Sequence, residues 1–496
     1  MPHLQRLSLC TLPLWLTVAT GTALAQDAAP AQDTVMVVCA SRAGERQTCA
    51  ADTTGGVSLV TVLNAAVCER DKTWGYDTQG IWVADGCNAV FTVVRPKKTA
   101  FGTFSSAGFK VADTGQGDLN VKLFTYVRYL NQQGFDETFT DSFGTEKSVN
   151  TRQDIHLQKV NIQFLGWIVS PKLRYLAYVW TANVSQGQLA QVVVGGNIQY
   201  RFNPHITLGG GIGALPGTRS LEGNFPYWLT LDNRPVADEY FRPSYTQGVW
   251  AKGLVVDGVE YAVMLGNNLS QFGVDAGQLS SGLDTLSSSL VWMPTTGEFG
   301  TGFGDFEQHE RLATRVGLHY TRSDENRQSQ PDTEAIDNAQ IRISDGNIIF
   351  APGLFGEGIA ISDAQYHMTS VDAGIKYRGF ALEGEYYWRA VTNLRGPGTE
   401  GLTFRDLRDN GFQLQASAMI VPKAVQAFWL GSRINGQYSD PWDTRIGVNW
   451  FPWQNQIVRW HAEYAYFRRS PVGALSLPMV VGGNGPMFFS DFMISF

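Results

Sequence analysis

The stretch Gly411–Ile420, GFQLQASAMI, decides how this chain is read. Phe412, Leu414, Ala416, Ala418 and Ile420 are apolar, and Gln413, Gln415 and Ser417 between them are polar. A period of two sends the two sets to opposite faces of an extended strand. The pattern recurs with charges on the polar face. RLATRVGLHY opposes Arg311, Arg315 and His319 to Leu312, Thr314, Val316, Leu318 and Tyr320. FALEGEYYWRA opposes Glu383, Glu385 and Arg389 to Leu382, Gly384, Tyr386 and Trp388. IVRWHAEYAY opposes Arg459, His461 and Glu463 to Val458, Trp460, Ala462, Tyr464 and Tyr466.

Alternation alone also fits a soluble sandwich with one face buried. Length separates the two readings. These segments run about 10 to 13 residues, whereas globular strands average about 5 or 6 and tilted membrane-spanning strands about 9 to 11. Aromatic residues gather near segment ends, at Tyr126, Tyr129, Trp450, Phe451, Trp453 and Tyr466, as interfacial girdles require. Sixteen segments are expected: 118–130, 153–168, 171–182, 191–202, 205–213, 246–256, 259–267, 283–293, 309–320, 367–377, 379–390, 410–420, 424–434, 441–450, 456–468 and 486–496. Tight turns (Val169-Ser170, Asn203-Pro204, Asp257-Gly258, Arg378, Val421-Pro422-Lys423 and FPWQN) alternate with the long stretches 131–152, 214–245, 321–366, 391–409 and 469–485. The link 294–308 is a long exception among the turns.

The expected fold is all-β, a 16-stranded antiparallel transmembrane β-barrel over residues 118–496. In lipid every backbone group must be paired internally, and a closed sheet achieves this with only alternate residues apolar. The charged positions then line a wet lumen, and no segment after Ala25 reaches the roughly 18 apolar residues of a helical span. An even strand count puts both barrel ends on the periplasmic side.

The start of the chain bears on the compartment. Arg6, the apolar run LCTLPLWLTVA and Ala23-Leu24-Ala25 have the layout of a secretory signal peptide, expected to span residues 1–25. Residues 26–34 read as a flexible lead, 35–95 as a small Cys-rich domain and 96–117 as a linker. Cleavage leaves 37 basic against 45 acidic residues, a balance that does not suggest nucleic acid. Cys39, Cys49, Cys68 and Cys87 are an even, clustered set in an exported chain, and read as two disulfides of open pairing. Their spacing lacks the close pairs of a zinc site. Disulfides would support a periplasmic β-rich unit too small to be secure alone. Its pattern, ending in WGYDTQGIWVADGC, is similar to a small Cys-rich exported domain family of unestablished function. Trp74, Tyr76 and Trp82 are either an aromatic platform for cell-wall sugars or core and turn aromatics.

HLQKVNIQFLGWIVSPKLRYLAYVW (156–180), GIGALPGTRSLEGNFPYWLTLDNRPVADEYFRPSYTQGVWAKG (211–253) and the final strand ending in Phe496 resemble the phosphate-selective porin O and P family. The resemblance implies a trimeric porin whose third loop folds inward and whose arginines and lysines guide anions. FRPSYTQGV departs from it, with Tyr245 where the family carries arginine and Arg242 three residues earlier. Arg219, Arg234 and Arg242 are candidate constriction cations, because arginine captures phosphate or carboxylate bidentately. They are equally candidates for holding loop shape through Glu222, Asp232, Asp238 and Glu239. Arg311, Arg315, Lys159 and Arg389 are candidate pore-wall cations. Phe496 resembles the terminal signal read by barrel-assembly machinery. His156, His205, His309, His319, His367 and His461 show no metal spacing, and no GxSxG or phosphate-loop signature is present. No enzyme and no cofactor are expected.

Two functions remain in view: a passive channel for small, anionic solutes in the outer membrane of a Gram-negative bacterium, and an envelope-tethering protein whose barrel is mainly an anchor.

Overall fold

A computed structural model describes residues 34–94, 104–105, 108–182, 191–270, 282–327, 340–473 and 477–496, apart from positions 52, 54, 55, 66, 78, 79, 224, 301 and 478. The expected signal peptide, most of the flexible lead and part of the linker lie outside the described residues. The chain divides into two compact units, residues 1–100 and 101–496.

The first unit contains β1 (Thr34–Ala40), β2 (Arg46–Cys49), β3 (Val57–Val62), β4 (Trp74–Asp77), β5 (Gly80–Ala84) and β6 (Asn88–Val94). They form two three-stranded sheets, β1-β6-β3 and β2-β5-β4. The interior is small: Val57, Trp74, Ile81, Val83, Ala89 and Phe91. Cys39–Cys49 joins β1 to β2, one from each sheet, and Cys68–Cys87 ties the segment before β4 to the start of β6. The pairing left open in the sequence is therefore sequential. Trp74 packs against Phe91 in the core. Trp82 lies on the other face, across Gly75, with the Arg46 guanidinium 4.1 Å over its ring. Trp74 and Trp82 thus share no platform. With so little core, replacing Cys39 and Cys49 by serine will cost about 2–5 kcal/mol. Limited trypsin digestion checks this: cleavage should appear among Arg42, Arg46 and Arg70 while the barrel stays intact.

The second unit opens with β7 (Phe104–Ser105), β8 (Gly108–Thr114) and β9 (Gly117–Asn131), then β10 (Thr138–Thr140) and β11 (Glu146–Ser148). There follow β12 (Gln153–Ile168), β13 (Ser170–Ala182), β14 (Gln191–Asn203) and β15 (Ile206–Ala214). Next come the short helix α1 (Val236–Phe241), β16 (Tyr245–Val256), β17 (Val259–Gly266), β18 (Thr285–Trp292) and β19 (Ala313–Asn326). The last are β20 (Asp363–Tyr377), β21 (Phe380–Arg395), β22 (Leu407–Val421), β23 (Val425–Asn435), β24 (Trp442–Trp450), β25 (Val458–Arg468) and β26 (Gly485–Ser495).

β9 and β12 to β26 are the 16 strands of a closed antiparallel barrel. Closure is made by β26 on β9, from Phe488 opposite Asn131 to Ser495 opposite Phe124. Phe496 and Leu123 then exchange both backbone bonds, at 2.9 and 2.8 Å. β8 pairs with Gly117–Val121, the part of β9 beyond the end of β26. Residues 108–114, read from sequence as linker, thus extend the sheet edge.

Alternation came out as expected and inverted relative to a soluble protein. Phe412 is 42% exposed while Gln413 is 3% exposed. Val194, Ile198, Leu318, Trp388, Trp460, Phe488 and Phe492 are on the exposed outer face, a surface suited to hydrocarbon. The turn at Arg378-Gly379 has φ of 47° and 88°, closed by Tyr377 opposite Phe380; two left-handed residues match the twist of the flanking strands.

β19 departs most from expectation, starting at Ala313 rather than 309 and running to Asn326. The link before it folds inward, burying Phe299, Phe303 and Asp305. His309 closes it, its Nδ1 2.5 Å from Asp305 and its Nε2 3.2 Å from Glu298, while Gly379 N donates to Asp305 at 2.8 Å. Burial pulls His309 down, but the bonds to Asp305 and Glu298 outweigh it and leave the imidazole above its ordinary value. A raised value means the latch is fully made below about pH 6.5 and is lost as pH rises through the folded value. Amides 298–309 should therefore exchange hydrogen faster at pH 9 than at pH 6, after correction for intrinsic rates. His309→Gln should abolish the difference.

Candidate functional site

Between β15 and β16 the chain leaves the wall and crosses the lumen. Pro235 sits at the N-cap of α1, where its fixed φ suits helix entry. The open N–H groups of the first turn are taken by the wall, Val236 N by Asp443 Oδ1 at 3.2 Å and Ala237 N by Ser432 Oγ at 3.0 Å. Helix starts leave such donors, and a buried start needs partners. Wall arginines supply the complementary bonds to the segment's carbonyls. Arg459 Nη1 donates to Trp228 O at 2.7 Å, Arg128 Nη2 to Leu231 O at 3.3 Å and Arg445 Nη2 to Arg234 O at 2.6 Å. From Trp228 to Ser244 every residue is buried.

The structure brings most of the sequence-derived site residues into this interior and surrounds them with carboxylates. Arg219 reaches Glu383 at 3.0 Å and Glu222 at 3.2 Å. Arg234 meets Asp238 at 3.3 Å and Glu239 at 3.5 Å, with Trp228 4.2 Å beneath its guanidinium. Arg242 binds Glu239 bidentately at 2.8 and 2.7 Å. Of the wall candidates, Arg315 joins Asp372 at 2.6 Å and Glu222 at 2.9 Å, Lys159 joins Asp232 at 2.7 Å, and Arg389 joins Asp409 at 2.5 Å. Arg311 stands apart, exposed, two residues before β19. Arg219, Arg234 and Arg242 are 4%, 1% and 2% exposed. Their charge is engaged by carboxylates within the protein.

Glu222, His319 and Asp372 offer ligand atoms within 4.8 Å of one another. Arg315 spans both carboxylates, and the two His319 nitrogens face Pro216 O at 3.1 Å and Asp372 Oδ2 at 2.9 Å. The donor set is spent on one another and on an arginine, so it does not fit a metal.

At the long-loop end an apolar core packs inside the barrel. Ile341, Ile343, Ile349 and Phe350 from the loop before β20 pack with Phe135, Val472, Met479 and the α1 residues Val236, Tyr240 and Phe241. A polar clasp fixes this cap. Asp141 accepts from Phe143 N, Thr145 N and Asn347 Nδ2 at 3.0, 2.9 and 3.0 Å, and lies 3.1 Å from Lys147 Nζ. Burial pushes the Asp141 carboxyl up, but those bonds outweigh it and hold it down at about 2.

The expected wet lumen is therefore confined. Inward residues of β19 to β26 are almost all buried, among them Arg315, Glu385, Gln413, Arg445 and Asp491. Solvent reaches the opposite wall, β12 to β16, toward the tight-turn end. There Arg174, Arg201 and Lys252 are exposed, and Trp167, Tyr178, Gln199 and Trp250 are half-buried. Sequence reading passed over these residues because the resemblance drew attention to the inserted segment. The available signal was their place on the polar side of the same alternation.

Residues 18–100 match a family described only as a protein of unknown function, DUF3011. No curated protein matches the chain. Among solved structures, the chain is similar to an anion-selective porin from Comamonas acidovorans, at 9% identity and TM-score 0.49, over 77% of this chain and 100% of that one. It is similar to the outer membrane channel DcaP of Acinetobacter baumannii at 9% identity and TM-score 0.47, over 79% and 100%. A Salmonella typhi OmpF complex with daunomycin aligns at 12% identity and TM-score 0.47, over 78% and 100%.

Proposed function

We propose that the protein is an outer-membrane channel of the porin kind, passing small solutes through a lumen that an inserted segment restricts to one side. The observation that carries this reading is a closed barrel, apolar outside, whose β12–β16 wall is solvent-accessible inside while the facing wall is packed shut. No helix among the described residues is long and apolar enough to cross a membrane, so the sheet is the element available to span it. In this reading the tight turns and the disulfide unit face the periplasm, the long loops face outward, and three copies assemble as the family resemblance implies. Arg219, Arg234 and Arg242 brace the inserted segment, and solute anions meet other cations. Purified protein in planar bilayers should give stepwise conductance. Flat current from protein whose gel mobility shifts on boiling would sink the channel.

A second reading is favoured by the packed long-loop end: the barrel as an anchor for an envelope-tethering N-terminal unit. Full-length protein should then sediment with purified sacculi in detergent, and lose that property when the disulfides are reduced.

A further inference from the structure

The solvent-reached wall has a composition of its own, and the strand register places it rung by rung. One rung reads Trp167, Arg174, Gln199, Gly209, Trp250 across β12 to β16. The rung on one side reads Arg201, Thr207, Lys252. Toward the other end lie Leu165, Leu176, Asn197 and then Lys122, Gln163, Tyr178, Gly195. These positions face inward because they continue the side of Arg128 and Lys159, which meet the inserted segment. Two rings lie flat on neighbouring strands. A Cβ at Gly209 would sit 2.4 Å from the Trp250 ring, and one at Gly195 would sit 2.5 Å from the Tyr178 ring. Glycine is thus required at both places for the aromatic face to rest on the wall.

Cations, flat rings and amides therefore alternate along one surface. Among the described residues Lys122, Arg174 and Arg201 enter no ion pair. The acids of this wall are few: Glu260 lies within electrostatic reach of Lys252, and Asp118 already accepts from Asn120 Nδ2 at 3.1 Å and Trp167 N at 2.9 Å. Inorganic phosphate would use the cations but leave the rings and leucines idle. A neutral sugar would use the rings but not the cations. A carboxylate on a flat apolar body uses both, by charge-assisted bonding and by ring stacking.

We propose that the β12–β16 wall is a track for organic anions with a flat apolar body, aromatic carboxylates being the class. This rests on the channel reading above. Relative permeability of potassium benzoate and potassium acetate, taken from reversal potentials across bilayers holding the full-length protein, tests it, because the two anions share a charge and differ by the ring. Benzoate should pass roughly two- to tenfold more readily despite its size, the range an aromatic contact implies. Trp167→Leu with Trp250→Leu should remove that advantage, Trp250→Phe should keep it, and Arg174→Gln/Arg201→Gln/Lys252→Gln should reduce anion over cation preference in chloride as well. Boiling-shifted gel mobility confirms that each variant is a folded barrel. Conductance with acetate favoured, or a benzoate advantage untouched by the tryptophan pair, overturns the track and leaves the channel standing. Absence of conductance in any salt overturns both.

Discussion

Excising Glu222–Tyr240 and bridging the ends with a short glycine-serine linker will raise single-channel conductance several-fold without opening the barrel. All 16 strand pairings lie outside the excised residues, so closure is untouched. What goes is α1 up to Tyr240 and the packed stretch from Trp228 that leads into it, which lies in the lumen between β9 and the β22–β26 wall. Conductance follows the open cross-section and the charge at the narrowest point. Removing the segment also uncovers Arg459, Arg445 and Arg128, whose guanidiniums now donate to its carbonyls. The enlarged pore should consequently favour anions more strongly than the parent, read as a shifted reversal potential in a chloride gradient. Unchanged conductance would mean that the loops at the other end, through Ile341, Ile343 and Phe350, close the passage by themselves.

Arg128→Ala will be the most destabilising single substitution in the wall. Arg128 on β9 holds Asp491 on β26 bidentately at 2.7 and 2.9 Å, and both side chains are 0% exposed. The pair crosses the seam where the barrel closes, and its remaining donors reach Asn233 Oδ1 and Leu231 O of the inserted segment. Removing one partner leaves the buried Asp491 carboxylate without its hydrogen-bonded cation, at a cost of about 3–5 kcal/mol. Replacing both with apolar residues, Arg128→Met with Asp491→Leu, should recover much of that loss, since a buried pair is often close to neutral against a packed apolar one. The urea concentration at which boiling-type mobility appears measures both variants. The single variant should also conduct with more noise, because the segment loses two anchors; a quiet trace would assign the pair to the seam alone.

Several features were legible from residues alone. GFQLQASAMI and its relatives state which side chains face which way, because side-chain direction in a strand is a local property with a period of two. Segment ends were legible to within a residue where turn chemistry is local, as at Arg378 and Asn203-Pro204, and failed at β19, where Phe299 and Phe303 draw the preceding link into the lumen. The existence of two disulfides was legible from an even, clustered count, whereas Cys39–Cys49 and Cys68–Cys87 were decided by the two small sheets that bring those sulfurs together.

The fate of the charges was not legible. Arg219 pairs with Glu383, 164 residues away, and Arg459 bonds Trp228 O across 231 residues. No periodicity registers such distances. By itself the sequence determined a closed sheet with an apolar outside and a polar inside, since alternation acts residue by residue along each strand. Which polar residues meet water was decided only by the tertiary structure. The inward arginines of β9, β19, β21, β24 and β25 (Arg128, Arg315, Arg389, Arg445 and Arg459) are spent on burial around one inserted segment, while Arg174 on β13, Arg201 on β14 and Lys252 on β16 are left in the open.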